Sequence, residues 1–314
     1  MARRSNSLST IELSMIKLKI TDEEAFQKFE RDCLIRNLRA ETLRYYKDKF
    51  AATKNTLKEM KIDKQLVELT QKDIEDIILH LKSKIKIVSI NTRIRALKSF
   101  YNFLYKNKLV MPNPMKNIKQ LRDRTRVIET LDDKELELLA AHIKSQKSFI
   151  GVRDYVIFLV MLDTGIRLSE LAGVQIDDIR ENNLIIRNTK NLIQRTVYLS
   201  KKVEDAVLVY LKIRGRQYHE YLFINIDNEP LKVRSIQSRF RIYKKELQIN
   251  KQLSPHVFRH TFAKRNILAG MDAFSLAALL GHQDLTVTRR YVNLWGNDLE
   301  IKAKQYSTLN KLDL

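Results

Sequence analysis

The second half of the chain carries four short motifs whose side chains suit chemistry on a phosphate group. They are the run Thr164–Glu170 (TGIRLSE), the single Lys190, the run His256–His260 (HVFRH), and Leu280-Gly281-His282 with Tyr291 nine residues further on. A tyrosine hydroxyl can attack phosphorus and form a covalent intermediate that retains the energy of the phosphodiester bond. Arginine, lysine and histidine side chains can stabilise the negative charge of the transition state. The motifs therefore predict cleavage of a phosphodiester through a protein-linked intermediate.

Two arginines are the candidates for holding the phosphate. Arg167 follows a predicted helix stop at Gly165 and opens the next helix, where free backbone N–H groups favour anions. A surface ion pair with Glu170 is the alternative for this residue. Arg259 presents a planar guanidinium that matches two phosphate oxygens. His256 lies three residues earlier on the same predicted helix face and can exchange protons near neutral pH.

His256 and His260 also have the i,i+4 spacing of a zinc-binding pair. However, position 257 is Val, where a metalloprotease has its catalytic Glu, and Arg259 between the two imidazoles would repel a cation. We therefore predict no metal and no cofactor. His260 is assigned a structural role on the neighbouring face of the helix.

Lys190 and His282 each allow a catalytic and a structural interpretation. Lys190 falls in the turn of a predicted β-hairpin, where it could protonate the leaving 5′ oxygen, a contribution of about 10²–10⁴ in rate. A solvated turn lysine is the alternative, with Arg187 and Arg195 beside the turn as substitutes. His282 follows a helix stop at Gly281, so it could donate a hydrogen bond to a phosphate oxygen, cap the preceding helix, or do both.

The charge of the chain favours a polyanionic partner. Lys and Arg number 58 against 37 Asp and Glu, which gives a net charge of +21, and nucleic acid is the commonest partner for such an excess. A cationic surface that serves solubility is the weaker alternative. Cys33 is the single cysteine, which leaves no disulfide and fits a reducing compartment. The N-terminal MARRSNS lacks the apolar run of a signal peptide, so we predict a cytoplasmic protein without a membrane segment.

The first third of the chain has apolar residues at helical spacing. The predicted helices cover 22–36, 40–60, Thr70 to Leu81 after a capping box, and a stretch capped by Ser89 that continues through Leu104. Together these helices predict a small four-helix domain over 1–110, basic on part of its surface.

A linker over 111–126 is predicted by the run Met111–Pro114 and the basic stretch that follows it. The remainder, 127–314, mixes helices with a short β-region. Its predicted elements are a helix from Thr130–Asp133 onward, a buried helix over 152–163, a three-stranded sheet within 179–199, and a helix between Asp272 and Gly281. The predicted fold class is therefore mostly α with a small antiparallel β-sheet (α+β).

In their order along the chain, the motifs resemble those of the tyrosine recombinases, the family of phage integrases and Xer-type resolvases. The resemblance covers 130–314 by motif and 1–110 by helical plan. It implies an N-terminal SAM-like core-binding domain, a C-terminal catalytic domain, and a homo-oligomer, a tetramer on two double-stranded DNA sites. It also selects Tyr291 among 12 tyrosines as the nucleophile. The catalytic set that it implies is Arg167, Lys190, His256, Arg259, His282 and Tyr291.

The function that this resemblance implies is that of a site-specific DNA recombinase. Tyr291 would attack the scissile phosphate and hold the 3′ end, and two rounds of exchange would pass through a Holliday junction without metal or ATP. In similar recombinases the tail after the tyrosine docks on a neighbouring subunit; packing on its own domain is the alternative. The sequence leaves open the target site, the choice between integration, excision, transposon movement and dimer resolution, and the need for accessory proteins.

Two basic domains that close around duplex DNA would take most of their affinity from phosphate contacts. The candidate DNA contacts on the N-terminal helices are Arg44, Lys47, Arg93, Arg95 and Lys98. Three alternatives remain for the function. They are a metal-free tyrosine topoisomerase that reseals the same strand, a recombinase fold retained as a DNA-binding regulator, and a basic RNA-binding protein, for which the aromatic RNA-binding signature is missing.

Overall fold

The computed structural model describes residues 20–123, 128–187, 194–282 and 284–295. The chain forms two compact units, which divide between Arg126 and Val127. Lys190 and the predicted docking tail beyond residue 295 lie outside the described segments. None of the helices in those segments combines the length and the apolar character that a transmembrane span needs.

The first unit is helical, as the spacing of its apolar residues predicts. Among residues 20–123 the helices are α1 (Asp22–Ile35), α2 (Ala40–Glu59), α3 (Gln71–Lys82) and α4 (Ile87–Lys106). Capping boxes start α1 at Thr21 and α3 at Thr70, where each hydroxyl accepts a hydrogen bond from the backbone N–H three residues later. Ser89 does not cap α4, because the helix already begins at Ile87; the predicted cap is wrong.

Aromatic rings fill the centre of the first unit. Phe29 of α1, Phe50 of α2 and Phe100 of α4 are all buried. The ring centroids of Phe100 lie 5.5 Å from Phe29 and 4.7 Å from Phe50, distances typical of favourable aromatic pairs. This cluster holds three of the helices together.

The segment predicted as a linker packs on the first unit for much of its length. Met115 and Ile118 are buried members of its core. The Asn91 side chain on α4 donates to the Leu121 carbonyl (2.9 Å) and accepts from the Leu121 backbone N–H (2.8 Å). The helical unit therefore extends to at least Leu121, beyond the predicted boundary at 110, because apolar side chains within the basic stretch have a core to join.

The second unit surrounds one long buried helix. Its helices among the described residues are α5 (Asp133–Ser145), α6 (Phe149–Thr164), α7 (Leu168–Ala172), α8 (Lys201–Arg214), α9 (Val233–Glu246), α10 (Pro255–Leu268), α11 (Ala273–Leu280) and α12 (Leu285–Trp295). Buried residues such as Val156, Phe158 and Met161 cover several faces of α6, which marks it as the core helix. The start of α5 is capped by Asp132, which accepts from the backbone N–H of Glu135 (3.0 Å).

A three-stranded antiparallel sheet lies between α7 and α8 in the chain, as predicted. Within the described residues its strands are β1 (Ile179–Arg180), β2 (Asn183–Ile186) and β3 (Arg195–Tyr198), in the order β1-β2-β3. Leu184 pairs with Val197 and both are buried, so one face of the sheet joins the core. Arg195, at the start of β3, reaches α11 with its side chain.

Helices α10, α11 and α12 share a smaller core, in which Phe262, Leu280 and Tyr291 are buried. Pro255 occupies the first turn of α10. Helix α11 ends at Gly281, as predicted. This packing holds motif residues from three helices close together.

Candidate active site

Two helices end in left-handed glycines next to the motif residues. α6 ends at Gly165 (φ +60°) and α11 ends at Gly281 (φ +65°), a backbone conformation that favours glycine. A Cβ atom at residue 165 would lie 2.6 Å from Cδ1 of Phe262, and one at residue 281 would lie 2.9 Å from Nη1 of Arg195. The left-handed backbone favours glycine at both positions. Close packing against Phe262 adds to this at Gly165, whereas at Gly281 the neighbour is a flexible arginine side chain.

Arg259 joins these two helix ends. Its Nη1 donates to the Gly165 carbonyl (2.7 Å) and its Nη2 donates to the Leu280 carbonyl (2.7 Å). The residue is 5% exposed, and burial, followed by the neighbouring charge of Arg167, lowers its pKa to about 10. The guanidinium therefore stays charged at neutral pH, and the carbonyl groups at the negative ends of two helix dipoles compensate its burial.

Arg167 reaches the Gly281 helix end from the N-cap of α7. Its Nη2 donates to the Gly281 carbonyl (3.0 Å) and its Nη1 donates to Oε1 of Glu170 (3.0 Å). The side chain is 25% exposed, so it remains open to a ligand from solvent. The ion pair with Glu170, the alternative considered for Arg167, is present. Arg167 nevertheless lies beside Arg259, because both donate to carbonyls at the end of α11.

Glu170 is the buried anion that orients two of the cations. Its carboxylate accepts from the backbone N–H of Arg167 (3.0 Å) and from Nη1 and Nη2 of Arg195 (3.0 and 2.7 Å). Burial alone would raise the pKa of Glu170, but the hydrogen bonds and charge of Arg195, helped by Arg167, hold that pKa below its ordinary value. Arg195 was considered as a substitute for Lys190, but both of its terminal nitrogens donate to Glu170.

Replacing Glu170 by Gln is expected to lower the free energy of unfolding by about 3–5 kcal/mol, because two guanidinium groups lose an anion that is almost completely buried. Urea unfolding measures the change. The control is Asp205→Asn, which removes an exposed ion pair with Lys201 and is expected to leave the free energy of unfolding nearly unchanged. An equal effect of the two substitutions would contradict the anchoring role of Glu170.

His282 lies between Arg259 and α12. Its Nε2 is 2.8 Å from Nη2 of Arg259 and its Nδ1 is 2.8 Å from Oγ1 of the buried Thr288. Because a guanidinium can only donate, Nε2 accepts, and the ring proton on Nδ1 is donated to Thr288. Burial and the charge of Arg259 lower the pKa of His282 to about 4, which keeps the ring neutral at pH 7. The backbone N–H of His282 also donates to the Ala277 carbonyl (3.0 Å), which is the predicted cap.

Tyr291 is a buried tyrosine beside these residues, with 4% of its surface exposed. Its ring stacks on Trp295 with centroids 5.5 Å apart, and it lies 6.3 Å from the His282 ring. Its hydroxyl is 2.8 Å from Nδ1 of His260. Burial raises the pKa of Tyr291, and the charge of Arg259 opposes this shift only in part. The phenol is therefore neutral and hydrogen-bonded.

The other candidate residues have different placements. His256 is exposed on the first turn of α10, with its ring centroid 6.5 Å from that of His260. Arg187 is paired with the Asp178 carboxylate. Lys190 is not among the described residues. In the part of the chain that the structure describes, no group of three or more His, Cys, Asp or Glu side chains could hold a metal ion.

Sequence reasoning missed three contacts of the site, those of His260 with Tyr291, of Glu170 with Arg195 and of Thr288 with His282. His260 is predicted to have a structural role, and its partner, the hydroxyl of Tyr291, was not predicted. Glu170 carried a signal, because it stands three residues after Arg167 in a capping-box position. Thr288 carried no such signal, because its contact with His282 depends on the packing of α12.

Neutral histidines predict a loss of stability in acid. His260 and His282 have pKa values of about 4 in the folded protein, mainly because of burial, against about 6.5 in an unfolded chain. Unfolding takes up protons between these values, so stability is full above about pH 6.5 and falls as the pH decreases toward 4. The melting temperature should therefore decrease when the pH is lowered from about 7.5 to about 5. The decrease should be smaller for His282→Asn. An equal fall in the variant, or a rise in acid, would count against the neutral rings.

Among the predicted DNA contacts of the first unit, Arg44, Lys47, Arg95 and Lys98 are exposed on α2 and α4. The half-exposed side chain of Lys47 forms an ion pair with Glu30 (2.8 Å). Such an exposed pair is weak, so a phosphate could replace Glu30 as the partner of Lys47. These side chains remain candidates for contact with DNA.

Arg93 differs from the other basic candidates because it points into the helix packing. Its Nη1 donates to the Ala52 carbonyl (3.2 Å) and to Oγ1 of the buried Thr56 (2.8 Å). Arg93 therefore ties α4 to α2, and its contact with DNA stays a prediction.

Sequence comparison relates both units to one family. Residues 129–296 match the model of the phage integrase family, and residues 27–108 match the phage integrase N-terminal SAM-like domain. The tyrosine recombinase XerC of Listeria welshimeri is 28% identical over 82% of this chain and 89% of its own length. The tyrosine recombinase XerD of Lacticaseibacillus casei is 31% identical over 66% of this chain and 72% of its own length.

Solved structures share the fold. An integrase of the Tn1549 transposon in complex with a circular intermediate DNA matches with a TM-score of 0.70 at 21% identity, over 87% of this chain and 95% of that one. A lambda integrase dimer bound to a COC′ core site matches with a TM-score of 0.72 at 16% identity, over 91% of this chain and 81% of that one. With a family model that covers 129–296 and a XerD relative at 31% identity, the chain belongs to the phage integrase family and is a tyrosine recombinase.

Proposed function

We propose that the second unit carries out site-specific DNA strand exchange, with an active site formed by Arg167, His256, Arg259, His282 and Tyr291. The proposed acid is Lys190. The observation that carries the proposal is the convergence of Arg167, Arg259 and His282 at the C-terminal end of α11. The ring centroid of His282 lies 6.3 Å from that of the buried Tyr291. Three guanidinium groups donate to consecutive carbonyls at this helix end, those of Arg195, Arg259 and Arg167.

The proposed reaction uses Tyr291 as the nucleophile. Its oxygen bonds to phosphorus and stays on the 3′ phosphate, while the 5′ oxygen leaves with a proton from Lys190. Arg259 and Arg167 stabilise the charge on the non-bridging oxygens, and both are fixed by protein carbonyls or by Glu170 before substrate binds. Because fixed cations supply the positive charge, we expect cleavage without divalent metal ions or ATP.

Strand exchange follows when the freed 5′ hydroxyl attacks the phosphotyrosine of a partner strand, and two rounds pass through a Holliday junction. The proposed substrate is duplex DNA, which the net charge of +21 attracts, and the proposed assembly is a tetramer on two sites. Relatives described as integrases bound to DNA support this partner. The proposed setting is the bacterial cytoplasm, on chromosomal or mobile-element DNA, with accessory proteins left open.

The proposal is tested with nicked duplexes that carry the sequence of the DNA flanking the gene. After cleavage the short strand next to the nick dissociates, so the strand cannot be rejoined and the covalent intermediate is trapped. We expect an adduct that survives denaturation, forms in EDTA, and transfers its strand to a second duplex. Relaxation of a plasmid without joining of two sites would instead indicate a topoisomerase. DNA binding without an adduct would indicate a regulator, and either result would overturn strand exchange.

A further inference from the structure

The hydroxyl of Tyr291 contacts His260, which is not among the residues of the proposed reaction. Nδ1 of His260 is 2.8 Å from Oη of Tyr291, and the two rings meet edge to face at 63°. We propose that His260 is a catalytic residue that accepts the phenolic proton as Tyr291 bonds to phosphorus and returns it when the strand is rejoined. This inference rests on the proposed function of the site.

The phenolic proton needs an acceptor of its own. In cleavage the bond from the Tyr291 oxygen to phosphorus forms, the phenolic O–H bond breaks, and the bond from phosphorus to the 5′ oxygen breaks. The 5′ oxygen takes its proton from a separate acid, so the phenolic proton does not reach it directly. Nδ1 of His260 accepts that proton and becomes N–H, and the step is balanced without any further reactant.

The neighbouring side chains are poor acceptors for this proton. The guanidinium groups of Arg167 and Arg259 can only donate hydrogen bonds. Nε2 of His282 already accepts from Arg259, and its Nδ1 carries the ring proton that is donated to Thr288. His260, in contrast, has a ring nitrogen at hydrogen-bonding distance from the phenolic oxygen itself.

Burial and the positive charges around His260 keep its ring unprotonated, so Nδ1 is free to take up a proton. His256 and Arg259 face it from α10, and Arg290 and Tyr291 face it from α12. Burial first, and then the charges of His256, Arg259 and Arg290, lower the pKa of His260 to about 4, so the ring is unprotonated at neutral pH. A phosphate bound to Arg259 would offset these positive charges and make His260 more basic while substrate is present.

The assignment separates the roles of two histidines on α10. His256 is exposed, and its ring centroid lies 6.5 Å from that of His260, one helical turn away. It remains available to the phosphate oxygens or the leaving group. His260 is half-buried against α12 and serves the nucleophile.

Single-turnover cleavage of a nicked duplex by His260→Asn tests the proposal. Asn places an amide oxygen near the position of Nδ1, so it can accept the hydrogen bond from Tyr291 but cannot hold the proton. We expect cleavage to slow by about 10²-fold or more. The matched control is His142→Asn, which changes a histidine that pairs with Glu246 (2.8 Å) elsewhere in the unit and should leave the rate unchanged. Cleavage by His260→Asn at the wild-type rate would overturn the proposal.

A more acidic nucleophile separates proton transfer from simple positioning. With 3,5-difluorotyrosine at position 291, the phenol gives up its proton more easily. The cleavage rate of His260→Asn should then rise by at least about 10-fold. The cleavage rate of the protein that keeps His260 should rise less. An equal effect of fluorination on both proteins would mean that His260 only positions the ring. His260→Gln provides a second variant for this comparison if the Asn protein does not fold. Failure of the unaltered protein to form any adduct would overturn the proposed function itself, which is a different outcome from a normal rate in His260→Asn.

Discussion

Tyr291→Phe is expected to abolish both the covalent protein–DNA adduct and strand exchange. The substitution removes one oxygen atom and keeps the ring that packs against Trp295 and the core of α10 to α12. Losing the hydrogen bond to His260 costs about 1 kcal/mol, so the variant should still fold and bind DNA. A denaturing gel of nicked duplex incubated with each protein provides the measurement.

The control for this substitution is Tyr198→Phe. Tyr198 lies on β3, is 64% exposed, and makes no contribution to the proposed reaction. It should give the adduct at the wild-type level. An adduct that persists in Tyr291→Phe would show that another residue is the nucleophile.

Arg259→Lys is expected to slow cleavage by about 10²–10³-fold, the usual effect of removing one preorganised donor from a transition-state anion. Lysine keeps the charge, but an ammonium cannot reproduce the planar fork that reaches the Gly165 and Leu280 carbonyls while facing a phosphate. Affinity for DNA should change little, because phosphate contacts along the whole duplex supply most of it. The single-turnover rate and the binding constant together give this comparison.

An exposed arginine on α9 provides the matched substitution, Arg241→Lys. It tests the same change of side chain away from the proposed site and should leave the cleavage rate nearly unchanged. Thermal unfolding of both variants separates a loss of chemistry from a loss of fold. If Arg259→Lys cleaved at the same rate as Arg241→Lys, the guanidinium of Arg259 would have no special part in catalysis.

Local signals in the sequence predicted the elements of the site well. The helix ends at Gly165 and Gly281 depend on one residue each, because only glycine adopts their left-handed backbone at low cost. The cap of α11 at Asp272 likewise depends on hydrogen bonds within a few residues. Such contacts are visible in a short window of sequence.

Contacts between distant residues were harder to predict. Arg167 bonds to the carbonyl of Gly281, 114 residues away, and nothing near Arg167 indicates that partner. Arg93 was predicted to contact DNA because it is a basic residue on a helix, yet its guanidinium finds two acceptors on α2. Whether a charged side chain faces solvent or a neighbouring helix depends on how the helices pack.

The contact of His260 with Tyr291 was hard to predict for the same reason. A histidine one position after Arg259 was interpreted as structural because i,i+4 spacing suggested only a zinc pair, which the sequence did not support. Its partner is Tyr291, 31 residues further on. The contact forms because α12 packs on α10, and the packing of these two helices is a tertiary property.

The most direct measurement is mass spectrometry of the trapped adduct after digestion with trypsin. Cleavage after Arg290 gives a peptide over 291–302 in which Tyr291 is the one tyrosine, so the modified residue is identified without ambiguity. We predict a nucleotide attached through a 3′ phosphate to Tyr291, formed equally well with EDTA. A nucleotide on another residue, or an adduct that requires a divalent metal ion, would contradict the account.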